Sequence, residues 1–173
     1  GIVGVGNIGS IVASLAQSIG MEIIAYDPFL SDERAKNLKI YKTKDLNDLL
    51  SQSDVVTLHL PKNENTHNII SRENIYKMKK GSILVNCARG GLVEEIAVAE
   101  AITTKHLSAA AFDVFLEEPA TSNPLFGLKN VICTPHLGAS TAEAQEKVSF
   151  QIADQIINYL KNGAIANALN APS

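Results

Sequence analysis

Arg89, Glu118 and His136 are the residues of this 173-residue chain whose types and settings suit acid–base chemistry on an anion. Arg89 stands in NCARGG (86–91), where a small Ala and two glycines leave its planar fork room to face a carboxylate or carbonyl. An ordinary surface arginine fits the same loop. His136 stands in TPHLGAST (134–141), between a strand pattern and a long helical pattern, with Gly138 and Ala139 keeping the backbone accessible. FDVFLEEP (112–119) puts Asp113 and Glu118 at and beyond another strand end. A carboxylate beside a histidine orients the imidazole and raises its pKa, giving a proton donor and acceptor near neutrality. Sequence spacing alone does not bring Glu118 to His136.

A second group of residues suits a nucleotide. GVGNIG (4–9) follows a strand pattern and opens a helical one, and a second strand pattern then ends in Asp27. In that setting Gly4 permits the tight turn, Gly6 lets the backbone approach a pyrophosphate, and Gly9 lets helix and strand pack closely. The helix N-terminus offers N–H groups and a partial positive charge to phosphates. Asp27 stands at the spacing where a carboxylate accepts both ribose hydroxyls and repels a 2′-phosphate, so NAD is expected rather than NADP. HLP (59–61) closes another strand. There His59 reads as a structural histidine, and Leu60 and Pro61 as a wall of the cofactor cleft.

The elements that must hold these residues alternate along the chain. GIVGV, EIIAY (22–26), KIY (39–41), DVVTLHL (54–60), GSILVNCA (81–88), LSAAAFDV (107–114) and NVICTP (130–135) read as strands. Helices are predicted over 8–19, from about Ser31, over 46–50, from a Ser71 cap to Tyr76, over 93–102, and over 140–163. The first carries Ile8, Ile11, Val12, Leu15 and Ile19 along one face. The last has a predicted capping box of Ser140 and Glu143 and a stop at Gly163. EEPATSNPLFGLK joins the last two strands as a loop. Strands apolar on both faces, alternating with helices, indicate a doubly wound, Rossmann-type α/β fold: a parallel sheet with helices on both faces.

Bulk properties narrow the classes further. The length fits one domain, large enough to bury about 70% of its unfolded surface. A net charge of −3 with scattered Lys and Arg gives no electrostatic reason to expect nucleic acid or an anionic membrane. No apolar run approaches a bilayer span, and no secretion signal is visible. Cys87 and Cys133 lie far apart and read as two buried free thiols in a reducing cytosol. The dispersed His residues have no ligand spacing, so no structural metal is expected. With no initiator Met and the glycines so close to residue 1, the chain is expected to be a fragment.

GVGNIG, YDPF, NCARGGLVEE, FDVFLEEP and TPHLGASTAEAQ, in that order across essentially the whole chain, resemble the D-isomer-specific 2-hydroxyacid dehydrogenases. The resemblance implies that residues 1–173 are an NAD-binding domain which works beside a substrate domain absent from this chain. By the same resemblance Arg89 orients and polarises the substrate, His136 is the general acid/base, and Glu118 is its carboxylate partner. Asn7, Ile8, Asp27, Leu60, Cys87, Ala88, Arg89, Asp113, His136, Gly138 and Ala139 match the family's NAD contacts. The reaction implied is hydride transfer between the nicotinamide and a small D-2-hydroxy acid. TPHLGASTAEAQ most resembles the branch that converts 3-phosphoglycerate to 3-phosphohydroxypyruvate for serine biosynthesis. Reduction of glyoxylate or hydroxypyruvate, D-lactate oxidation, or a non-catalytic NAD-sensing, corepressor-like role are the alternatives. A cytoplasmic homodimer or homotetramer is expected for the full-length enzyme. Three departures stand out: Asn7 where Arg is frequent, Leu60 for a frequent Thr, and Lys105 at a turn where Gly is usual.

Overall fold

In the computed structural model, which describes residues 1–138 and 140–168, the predicted alternation is realised in order. The elements are β1 (Ile2–Val3), α1 (Asn7–Ser18), β2 (Ile24–Tyr26), α2 (Asp32–Asn37), β3 (Tyr41–Thr43), α3 (Leu46–Gln52) and β4 (Val55–Leu58). They continue with α4 (Arg72–Lys77), β5 (Ile83–Asn86), α5 (Glu95–Thr103), β6 (Ala109–Phe112), β7 (Val131–Cys133) and α6 (Ala142–Asn162). The chain forms two units, Gly1–Pro135 and His136–Ser173. The first holds the whole sheet and the second holds α6.

The sheet has seven strands in the order β3-β2-β1-β4-β5-β6-β7, and every neighbouring pair is parallel. β1 lies between β2 and β4, with Ile2 opposite Ala25 on one side and Thr57 on the other. The strand order therefore reverses at β1 and β4, and the crevice of such a sheet opens outside their carboxyl ends.

Alternation along each strand divides the core in two. Val3, Val56, Leu58, Leu84, Ala110 and Phe112 face one way and pack with Leu49 and Leu50 of α3, Ile75 of α4 and Ala97, Val98 and Ala101 of α5. Ile2 and Ala25 face the other way, against Ala13 of α1 and Ala35 of α2. Helices thus lie on both faces. On that second face Val55 and Thr57 of β4, Ile83 and Val85 of β5, and Ala109 and Ala111 of β6 are only half-buried.

Local chemistry sets the element ends and corrects several expectations. KIY gives way to a strand that begins only at Tyr41, because Lys39 takes a left-handed φ of 54° and closes α2 by donating to the Lys36 carbonyl. The face of α1 turned to the sheet is made by Gly9 and Ala13, both buried. Of the predicted stripe only Val12 packs against that core, half-buried; Ile8, Ile11, Leu15 and Ile19 look outward, 62%, 57%, 63% and 78% exposed. The cap of α6 is Thr141, whose side chain accepts from the Ala144 N–H, and not Ser140. Gly163 ends that helix in the left-handed region as expected. The cysteines are free but not buried, Cys87 being exposed and Cys133 half-exposed. Lys105 adopts φ 60°, the conformation for which Gly is the usual residue at this turn.

Candidate active site at the carboxyl ends of the strands

Gly4 turns the chain sharply out of β1 with φ 94°. A methyl group at Gly4 would stand 2.6 Å from the His59 carbonyl oxygen beyond β4, and one at Gly9 would stand 2.0 Å from the Gly4 carbonyl oxygen. Packing therefore requires both glycines. Gly6 is different: a methyl there would meet nothing within 4 Å, and its φ of −74° suits any residue. Gly6 opens α1 with no side-chain cap and no acidic residue in the first turn. Ser31, Asp45, Ser71 and Thr141, by contrast, cap their helices with their own side chains. Asn7 and Ile8 form that uncapped first turn.

Asp27 leaves the end of β2 and is held by backbone. Its Oδ2 accepts from the Val5 N–H at 2.7 Å and its Oδ1 from the Phe29 N–H at 2.8 Å. Each oxygen keeps a further lone pair for a hydroxyl donor. Beyond β4, the His59 ring Nε2 lies 3.1 Å from the Thr57 hydroxyl, and burial lowers its pKa. Leu60 packs at the edge of the core, and the Pro61 carbonyl accepts from the Thr66 hydroxyl at 2.7 Å.

Asn86 shapes the loop after β5. Only 1% exposed, it donates from Nδ2 to the Arg89 carbonyl at 3.0 Å and accepts the Ala88 N–H at Oδ1 at 3.1 Å. The loop is wrapped around one amide, so that Cys87 and Arg89 project from it, both exposed. Arg89 donates from Nη1 to the Ala88 carbonyl at 2.6 Å. Burial, and next the charge of Asp113, push the Cys87 thiol pKa up, which is the opposite of activation as a nucleophile.

Asp113 leaves β6 6% exposed. Its N–H donates to the Asn86 carbonyl at 3.0 Å, and its Oδ1 accepts from the Thr134 hydroxyl at 2.5 Å. Glu118 follows in the long loop, with Oε1 accepting from the Phe115 N–H at 2.9 Å. A methyl at Gly90 would stand 1.7 Å from the Phe115 carbonyl oxygen. The loops of Arg89 and Glu118 therefore touch, backbone to backbone. His136 and Gly138 open the second unit, where His136 has φ 55° and its carbonyl accepts from the Ser140 hydroxyl at 3.2 Å. Ala139 lies outside the described residues.

Residues 1–138 match the family described as D-isomer specific 2-hydroxyacid dehydrogenase, NAD binding domain. The chain belongs to this family. Over all of its length it is 46% identical to a D-3-phosphoglycerate dehydrogenase of Methanocaldococcus jannaschii, of which it spans 33%. It resembles the holo form of Rhodotorula graminis D-mandelate dehydrogenase with a TM-score of 0.88 at 30% identity, covering 99% of this chain and 52% of that one. The NAD complexed form of a D-isomer specific 2-hydroxyacid dehydrogenase from Lactobacillus delbrueckii ssp. bulgaricus gives a TM-score of 0.85 at 30% identity, covering 98% of this chain and 55% of that one. The chain thus spans about a third of the curated relative it matches.

The cofactor of this dehydrogenase domain is NAD, and the geometry fits it. The space a Gly6 side chain would fill, the uncapped start of α1 and the two-oxygen carboxylate of Asp27 are three independent features suited to a pyrophosphate and a ribose. Among the described residues no helix is long and apolar enough to cross a membrane. The sequence reading missed the residues that hold the site loops: Asn86, Thr134 and Glu95. Asn86 carried the one available signal, a polar side chain ending an apolar run.

Proposed function

We propose that the chain is the NAD-binding part of a longer D-2-hydroxyacid dehydrogenase that interconverts 3-phosphoglycerate and 3-phosphohydroxypyruvate. Identity of 46% over the whole chain to a protein named for that reaction supports the substrate. The loop contact at Gly90 and Phe115 supports the mechanism, because it holds the loops of Arg89 and Glu118 against one another. In the direction of oxidation, Arg89 holds the substrate carboxylate and stabilises charge on the reacting oxygen. His136 removes the hydroxyl proton, and Glu118 stabilises the imidazolium that forms. NAD, when bound, supplies the hydride acceptor. Gly4, Gly6, Asn7, Ile8, Gly9, Asp27, Leu60, Pro61, Cys87, Ala88, Asp113, Gly138 and Ala139 are the residues proposed to hold it. On the family resemblance the working enzyme is a cytoplasmic homodimer or homotetramer.

The deciding experiment is a substrate panel on the full-length enzyme with 3-phosphoglycerate, D-lactate, D-mandelate and, in reverse, glyoxylate. The highest kcat/KM is expected on 3-phosphoglycerate. A rate there no better than on D-lactate overturns the substrate, and wild-type turnover by His136→Ala overturns the mechanism.

A further inference from the structure

We infer that Glu95 is a positioning residue for Glu118: from the first turn of α5 it clamps both feet of the loop that carries Glu118. The inference rests on the proposed role of Glu118 as partner of the catalytic imidazole. Glu95 gives each carboxylate oxygen to a different part of that loop. Oε1 accepts from the Leu116 N–H at 2.8 Å, and Oε2 accepts from Asn123 Nδ2 at 2.6 Å. Glu118 lies on the segment between these two anchors.

The anchors are themselves fixed. Phe115, 5% exposed, presses its carbonyl against Gly90. Asn123 accepts the Leu125 N–H at Oδ1 at 3.0 Å and the Phe126 N–H at its own carbonyl at 3.0 Å. Leu125 is fully buried, and the Phe126 ring meets Phe115 edge-on with centroids 5.3 Å apart. Glu118 in turn accepts the Phe115 N–H. Removing Glu95 leaves the neighbouring Phe115 and Leu125 in the core but frees the arch between them.

An acidic residue serving only the helix dipole would aim at the N–H groups of its own helix. Glu95 aims both oxygens outward instead. Its neighbour Glu94 does a separate task, accepting the Arg72 N–H at the start of α4 at 2.9 Å. Because α5 continues directly from the Arg89 loop, Glu95 links the carboxylate-bearing loop to the cation-bearing one.

The test uses the full-length enzyme carrying Glu95→Ala, Glu95→Gln, Glu118→Gln, or Glu95→Gln combined with Asn123→Asp. The paired change reverses the polarity of the contact. Gln Oε1 still accepts from Leu116, Gln Nε2 donates to the new carboxylate, and that carboxylate still accepts from Leu125. Misplacement of a reacting group costs on the order of 10–100-fold in rate, so Glu95→Ala is expected to lower kcat by about that factor with KM for NAD unchanged. The paired variant is expected to recover kcat to within about threefold of wild type, which a general loss of stability would not allow. An unchanged kcat in Glu95→Ala, a parallel loss of NAD affinity, or no recovery in the paired variant overturns the inference. Wild-type kcat in Glu118→Gln overturns the underlying role of Glu118 instead. Impairment by Glu118→Gln together with an unimpaired Glu95→Ala overturns the clamp alone.

Discussion

A methyl group at Gly9 would lie 2.0 Å from a backbone oxygen, whereas one at Gly6 would meet no atom within 4 Å. Two substitutions of the same chemistry should therefore part company. Gly9→Ala forces α1 away from β1 and is expected to destabilise the fold by about 1–3 kcal/mol, as overpacking does. At Gly6 the poorer cap of an alanine and the lower entropy of its unfolded chain roughly offset each other. Gly6→Ala should unfold within about 0.5 kcal/mol of the parent, yet bind NADH at least tenfold more weakly, because its methyl fills the approach of the pyrophosphate. Thermal unfolding and NADH fluorescence read the two effects separately, and equal losses of both in the two variants would refute the distinction. His59 supplies a pH test at the same scale. Burial lowers its pKa, so the fold resists a proton that the unfolded chain accepts near pH 6.5. That part of the stability is complete above the unfolded pKa and is lost as pH falls below it. His59→Gln is expected to flatten the fall in unfolding free energy between about pH 7 and 5, measured by urea unfolding at a series of pH values.

Periodicity identified which segments become elements, but side-chain hydrogen bonds and left-handed residues decided where they stop. GSILVNCA shortens to Ile83–Asn86 because Asn86 turns its amide back on its own loop. Both bonds reach only two or three residues along the chain, a side-chain turn that apolar periodicity does not register. The apolar stripe of α1 was legible as a stripe, yet small Gly9 and Ala13 meet the sheet, since close helix–strand approach at the glycine turn leaves no room for Ile or Leu. Spacing says that a face is apolar and not what it meets. The glycine turn, Asp27 and the Arg89 loop were legible because each announces itself within a few residues. Glu95 was not, because its partners Leu116 and Asn123 are distant in sequence. The α6 cap gives a direct check on this scale. Thr141 accepts the Ala144 N–H at 3.1 Å, so Thr141→Ala should destabilise the helix by about 1 kcal/mol. Ser140→Ala, which removes only a bond to the His136 carbonyl, should cost less by thermal melts followed at 222 nm; the reverse order would restore Ser140 as the cap.

At the scale of the whole molecule, the features suited to the dinucleotide and those suited to the substrate differ in how complete they are within this chain. The glycine turn, the open start of α1 and the backbone-held Asp27 all lie in the unit Gly1–Pro135, and each is positioned by contacts inside it. Arg89 is exposed, and an exposed guanidinium orients a carboxylate poorly without further walls around it. The chain also spans only about a third of the length of the curated dehydrogenases it matches. Cofactor binding and turnover should therefore separate. This chain alone is expected to bind NADH saturably, and NADPH far more weakly because Asp27 repels the 2′-phosphate. It is expected to show no oxidation of 3-phosphoglycerate above background. The chain has no Trp, so NADH fluorescence enhancement reports binding without energy transfer from that residue. No saturation at millimolar NADH would defeat the cofactor site proposed for these residues. Turnover by the chain equal to that of the full-length enzyme would defeat the division of labour, because Arg89 and His136 would then need nothing beyond it.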